Sequence, residues 1–417
     1  MRIAAISVLF VVGCASSSAT TALDAGLGDG ARDGSDLSIN DAGNDGAGPH
    51  DGGNGDGGMG PTDGFTPADM TTPTALTIRV HYPTGSHSIT LRGSADTLNW
   101  TTGIPMVATS PNVYQATLPY TTEALEFKPL LDDSTWSRGP NFAMGGSASV
   151  DVYPHFTTVN GSVIELLSAF HSTALGNNRV VWAYLPASYY ENTTESYPVL
   201  YMQDGQNLFD ASRATYGKEW KVDETLNAAG EDGSIREMIV IGPEVDANNR
   251  DYEYLPTYDP SEMAGGGGDL YLQMLIDELK PTVDSMLRTL PDRANTGNMG
   301  SSFGGVLSCY AGVKDADVFS MIGVVSPATW WDNDYIVGEV QSTKGKSPIP
   351  DRVYMDYGGV DDNASYSQDL VAAYKSVGYV EGVNFHFVYQ ADGQHDETYW
   401  AARLPGALQF LFGPRTP

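Results

Sequence analysis

Cysteine is nearly missing from this 417-residue chain: there are two, Cys14 and Cys309. They lie in such different contexts that a disulfide between them is excluded as a staple of the fold. Positive charge is scarce as well. Lysine and arginine total 22 against 52 aspartates and glutamates, for a formal net charge of -30, and no basic run occurs anywhere. That balance argues against nucleic acid or an anionic membrane surface as a partner. The apolar stretch from Ile3 to Val12 is too short to span a bilayer. With 41% hydrophobic residues, the chain has room for two or three domains and at least one large core.

Residues 1–14 join Arg2 to that apolar stretch and end Val11-Val12-Gly13-Cys14, which reads as an export signal. The ending resembles the lipobox of bacterial lipoproteins. The resemblance implies lipidation of Cys14 and, with no Asp following it, an outer-membrane or surface location. Residues 15–74 hold almost no large apolar side chains and carry ten aspartates against the single Arg32. This composition predicts an extended, disordered tether. Its aspartates lack the alternate spacing of an EF-hand loop, so no calcium site is expected.

Across 75–158, short runs alternate polar and apolar residues with turn residues between them, which predicts a β-sandwich. Leu98-Asn99-Trp100, residues 126–130 and Trp136-Ser137-Arg138-Gly139-Pro140-Asn141 resemble starch- and glycogen-binding sandwich modules. The resemblance implies that Trp100 and Trp136 stack on sugar rings, with Lys128 and Asn141 as polar partners. The competing reading makes both tryptophans packing residues and the module a spacer.

From 161 to 415, strand-like and helix-like stretches alternate, so the fold class expected is α/β with a mainly parallel sheet. Strands are read at 180–185, 197–202, 238–242, 319–325, 352–357 and 385–389. A long amphipathic helix is read over 270–290, and a closing helix over 399–411. Asn298-Met299-Gly300-Ser301-Ser302-Phe303-Gly304-Gly305 fits Gly-x-Ser-x-Gly between a short strand and an apolar helix. A serine on so sharp a turn needs small neighbours, and the helix start aims N–H groups at the place where an oxyanion would form. Ser302 is the nucleophile candidate, with the N–H of Phe303 as one oxyanion donor.

A hydrolase of this kind places nucleophile, acid and histidine in that order, each after a strand. His395 follows the last strand, and the loop at 358–363 supplies the acid. Asp361 is the acid chosen; Asp362 is the alternative, since loop geometry decides which side chain turns inward. The run Asp204-Gly205-Gln206 follows an early strand and offers the N–H of Gln206 as second oxyanion donor. Cys309 is expected to be a buried, reduced thiol.

Seven segments in order, among them residues 197–209, 219–224, 250–254, 300–305 and Ser326-Pro327-Ala328-Thr329-Trp330-Trp331, resemble the α/β-hydrolase family of enterochelin, feruloyl and acetylxylan esterases and mycolyltransferases. The resemblance covers about residues 165–413. It implies a triad of Ser302, Asp361 and His395, oxyanion donors at Gln206 and Phe303, and Arg250, Trp330 and Trp331 near the substrate, with no metal or cofactor. Many members carry Met at the position of Phe303, where the larger ring would narrow the acyl pocket. Arg250 has a structural alternative, pairing with Glu253 or Asp251, and one of the two tryptophans is expected to be core. The function expected is a secreted, lipid-anchored serine esterase acting through an acyl-enzyme, on acyl groups of a polysaccharide. The alternatives are a siderophore esterase of the enterochelin type, a non-catalytic glycan-binding lipoprotein, and acyl transfer in place of hydrolysis.

Overall fold

A computed structural model describes residues 75–414, apart from 95–96, 120–123, 146–147 and 363. The signal segment, Cys14 and the 15–74 tether lie outside the described residues. Ala75–His81 alternates half-buried and buried residues, so Leu76, Ile78 and Val80 point inward. It pairs antiparallel with Val113–Pro119 and parallel with Ser149–Val152. A second sheet is built on Ile89–Gly93 and Leu125–Leu131. Ile89, Leu91 and Phe127 from that sheet meet Ile78 and Val80 from the first, which makes a sandwich core.

The C-terminal part carries eight strands: β1 (Ser162–Ser172), β2 (Asn177–Leu185), β3 (Val199–Met202), β4 (Ile239–Pro243), β5 (Thr296–Ser301), β6 (Met321–Val325), β7 (Arg352–Val360) and β8 (Phe385–Gln394). Their order in the sheet is β1-β2-β4-β3-β5-β6-β7-β8. The first three pair antiparallel, and every pair from β4-β3 onward is parallel. β3, β4, β5 and β6 are buried along their whole length, as a parallel sheet covered on both faces requires. The fold class read from the sequence is the one observed.

The helix expected over 270–290 starts at Gly268, passes through a π-helical segment at Met274–Leu279 and ends at Met286. Pro281 accounts for the irregularity, because it has no N–H to return to the carbonyl four residues earlier. Leu272, Leu275, Leu279 and Val283 belong to the same buried core as Val306 and Leu307 of the helix Phe303–Lys314. The sandwich is tied to the C-terminal part by polar contacts. Glu191 accepts from Tyr82 Oη at 3.0 Å and the Thr158 N–H at 2.8 Å, while Asn192 Nδ2 donates to the carbonyls of His81 and Pro154.

Four non-glycine residues with positive φ follow the carboxyl ends of neighbouring parallel strands. They are Asp204 (55°) after β3, Ser302 (59°) after β5, Ser326 (40°) after β6 and Asp361 (51°) after β7. Two of the four are serines, for which positive φ is uncommon, and strained backbone of this kind persists only where the surroundings impose it.

Candidate active site

Ser302 sits between β5 and the helix Phe303–Lys314 with φ 59° and ψ -121°. Its N–H bonds Val325 O at 3.1 Å, which fixes the turn against β6. A Cβ on Gly300 would collide with Gln203 Oε1 and the backbone of Gly304, so glycine is required there. Phe303 opens the helix, and its N–H belongs to the first turn, where donors have no partner within the helix.

His395 directly follows β8 and is part-buried. Its Nδ1 lies 2.6 Å from Asp362 Oδ1. The acid facing the histidine is therefore Asp362 and not Asp361, a correction with a local cause. The β7-β8 register shifts between Gly358 and Val360, and Asp361 takes a left-handed turn that leaves its own side chain exposed. That turn sends the next side chain back under the sheet, where Asp362 is 2% exposed. Asp362 Oδ2 there accepts from the Ser326 hydroxyl at 2.7 Å and from the Gly358 N–H. An ionised carboxylate only accepts, so His395 Nδ1 carries a proton toward it and Nε2 is the free basic nitrogen.

Gln206 lies in a short turn at Gly205–Asn207, held close to β4 because a Cβ on Gly205 would strike the Gly242 carbonyl. Its side chain is engaged at both ends: Nε2 donates to Thr215 Oγ1 and Oε1 accepts from the Val245 N–H, each at 3.4 Å. Asn207 Oδ1 accepts from the Thr215 N–H at 2.9 Å, and Asn207 Nδ2 donates to Glu397 Oε1 at 3.2 Å. Burial pushes the Glu397 carboxyl above its ordinary value; its own N–H opposes this, while Asp204 and Asp396 add to it. Asp396 moves the other way: burial resists, but Lys218 and Thr398 hold its pKa low.

Arg250 does not pair with Glu253 or Asp251. Its Nε and Nη2 meet the two oxygens of Asp204 at 2.9 and 2.8 Å, and Nη2 also approaches Ser301 O at 3.4 Å. Glu253 instead pairs with Arg179 at 3.0 Å. Arg250 thus joins the start of the Gly205–Asn207 turn to the residue before Ser302. Trp331 is buried, with Nε1 bonded to Thr257 O at 3.1 Å. Half-buried Trp330 packs against Phe303 with ring centroids 6.2 Å apart. Neither tryptophan lines the cavity at Ser302.

That cavity, of about 480 Å³, is lined among others by Gln206, Tyr216, Lys218, Arg250, Ser302, His395 and Trp400. Its two lysine and arginine side chains are both engaged, Arg250 by Asp204 and Lys218 by Asp396 at 3.0 Å. In the sandwich, Trp100 and Trp136 are each 38% exposed, with ring centroids 6.2 Å apart. The polar partners expected beside them are used internally: Lys128 Nζ bonds Gly139 O, and Asn141 Nδ2 bonds Glu126 at 3.1 Å. Cys309 is fully buried, and burial pushes its thiol up to about 12. Among the described residues, no group of three or more His, Cys, Asp and Glu side chains is placed to hold a metal ion, and no helix is long and apolar enough to cross a membrane.

Sequence reasoning missed Ser326, Trp400 and Arg403, which meet behind Asp362. Their one local signal was the Ser-Pro turn after β6, which says nothing of contacts many residues away.

Residues 172–411, more than half of the chain, match the esterase family, described as "Putative esterase". The chain is 25% identical over 250 residues to the uncharacterized protein YbbA of Bacillus subtilis (strain 168), covering 57% of this chain and 93% of that one. It is 27% identical over 183 residues to an endo-1,4-beta-xylanase/feruloyl esterase of Xylanibacter ruminicola; the match spans 43% of this chain but only 24% of that larger protein. Among solved structures, the enterobactin esterase FES from Shigella flexneri matches with a TM-score of 0.48 at 17% identity, covering 81% of this chain and 92% of that one.

Proposed function

The chain belongs to the esterase family, and from that premise we propose that it is a serine esterase that cleaves carboxylic esters through an acyl-enzyme on Ser302. The observation that carries the reading is His395, whose Nδ1 is bound to buried Asp362 while its ring shares a cavity with Ser302. In the first half-reaction Ser302 Oγ attacks the ester carbonyl as His395 Nε2 takes its proton. The oxyanion forms at the N–H groups of Phe303 and Gln206. Collapse expels the alcohol, which leaves with that proton. Water then attacks the acyl-enzyme, His395 again accepting a proton and returning it to Ser302 as the acid departs. Asp362 fixes the tautomer and stabilises the imidazolium.

The substrate in this reading is an uncharged acyl ester on a polysaccharide. The cavity's lysine and arginine are already neutralised by carboxylates, which leaves neither spare for an anionic catecholate siderophore. The exposed Trp100 and Trp136 pair, with Arg92 over Trp136 at 5.1 Å, suits a sugar face. Export and lipidation at Cys14, at the outer membrane or cell surface, complete the proposal. Hydrolysis of short-chain p-nitrophenyl esters should fall by several orders of magnitude in Ser302→Ala. Undiminished turnover in that variant would overturn the nucleophile. A panel of acetylated xylan, feruloylated oligosaccharide and siderophore trilactone tests the substrate, and preference for the trilactone would reject the polysaccharide.

A further inference from the structure

The carboxylate facing His395 is itself held from behind. Ser326 Oγ lies 2.7 Å from Asp362 Oδ2, 3.0 Å from Trp400 Nε1 and 3.1 Å from Arg403 Nη2. An indole N–H and a guanidinium can only donate, and a hydroxyl has two lone pairs and one proton. Both lone pairs of Ser326 are therefore spent, and its proton has Asp362 Oδ2 as its acceptor. We propose that Ser326 is a positioning residue for ester cleavage, its hydroxyl proton locked onto Asp362 by Trp400 and Arg403 so that the carboxylate stays aimed at His395. The proposal rests on the reading of Ser302, His395 and Asp362 as a triad.

The surroundings over-determine this arrangement. Ser326 is fully buried at φ 40°, and its N–H bonds Asp356 O at 2.9 Å. Arg403 is anchored in turn by Asp356 Oδ1 and Gln390 Oε1, each at 3.0 Å. Trp400 also sets its ring edge-on to His395, with centroids 5.2 Å apart. The helix Glu397–Phe412 thus reaches the triad in two ways, through the Ser326 hydroxyl and through the Trp400 ring against His395. A strained, buried serine whose one hydroxyl proton goes to the carboxylate facing His395 is better explained by orientation than by packing alone.

The direction of the effect follows from charge. Donors on Oδ2 draw negative charge away from Oδ1 and stop the carboxylate from rotating. Without the Ser326 hydroxyl, more charge faces His395, its imidazolium is favoured, and the basic form appears only at higher pH. Ser326→Ala should lower kcat by about 10- to 100-fold, the worth of one hydrogen bond to a charged group. KM should stay within about twofold, and the acid limb of kcat/KM should move upward. Trp400→Phe leaves the hydroxyl but frees one lone pair, so its limb should shift the same way by less. It also carries the test if Ser326→Ala fails to fold.

A readout without turnover separates this proposal from the triad reading. In Ser302→Ala protein, the low-field proton resonance of His395 Nδ1 should titrate, and adding Ser326→Ala should raise its midpoint. If no such resonance appears in Ser302→Ala, the triad reading fails and takes the proposal with it. If the resonance is present but its midpoint is unchanged by Ser326→Ala, or by Trp400→Phe where the first variant does not fold, the triad stands and Ser326 is only a packing residue.

Discussion

Replacing Asp362 and Asp361 in turn by asparagine separates two side chains that are neighbours in sequence and opposites in environment. Asp362 Oδ2 faces two donors, the Ser326 hydroxyl and the Gly358 N–H. In Asp362→Asn the amide must therefore turn its oxygen toward them and its NH2 group toward His395 Nδ1, 2.6 Å away in the native protein. Nδ1 is then forced to accept, and the single ring proton moves to Nε2. A histidine in that tautomer cannot take the proton of Ser302, and the carboxylate that would stabilise the imidazolium is gone as well. In a serine protease the same exchange lowers kcat by a factor of about 10⁴, equivalent to about 5 kcal/mol of transition-state stabilisation, and a loss of that order is expected here. Asp361→Asn should change kcat less than about threefold, because the side chain is exposed and asparagine tolerates the left-handed φ of 51°. The assay is steady-state hydrolysis of p-nitrophenyl acetate at pH 8, with circular dichroism to confirm folding. Comparable losses in the two variants, or a loss confined to Asp361→Asn, would refute the assignment.

Arg250→Ala removes the guanidinium that links Asp204 to Ser301 O and leaves the Asp204 carboxylate, on a residue only 4% exposed, without its cation. Partial solvent access at Arg250 moderates the cost to about 2 kcal/mol, which should appear as a melting temperature lowered by several degrees and a fall in kcat. A raised KM with unchanged kcat and stability would instead mean that Arg250 contacts the substrate. Asp315 caps the C-terminal end of the helix Phe303–Lys314, where burial, aided by Asp317, raises its pKa to about 6. Because the folded value lies above the unfolded one, the carboxyl costs nothing below about pH 4, and its penalty grows as pH rises through 6. Asp315→Asn should stabilise the protein by about 1 kcal/mol at pH 8, allowing for solvent screening, and by nearly nothing at pH 4. Thermal melts at the two pH values check this, and equal shifts at both would contradict it.

β3 and β4 were readable because burial on both faces makes them nearly continuous apolar runs. β1 was not read: it lies at the edge of the sheet, with most of its residues half-buried or exposed and its pairing with β2 interrupted by register shifts, so its pattern has no steady period. At the site, Ser302 announced itself because packing demands glycine on either side of it. The contacts that orient it did not. Arg250 meets a partner 46 residues away, and Ser326 touches Trp400 across 74 residues. No local spacing encodes such pairs.

The choice between Asp361 and Asp362 shows where local reading stops and what could extend it. Asp204 and Asp361 both adopt the left-handed conformation just past a strand, where aspartate is enriched because its short side chain tolerates positive φ. In each case the aspartate makes the turn, and the chemistry proposed belongs to a residue just beyond it: the N–H of Gln206 in one loop and the carboxylate of Asp362 in the other. Asp361 directly follows the strand end at Val360. The backbone gives that residue the work of reversing direction, which carries the following side chain inward to His395. Where two aspartates follow a parallel strand toward an active site, the second is the better candidate for the acid whenever the first must turn the chain.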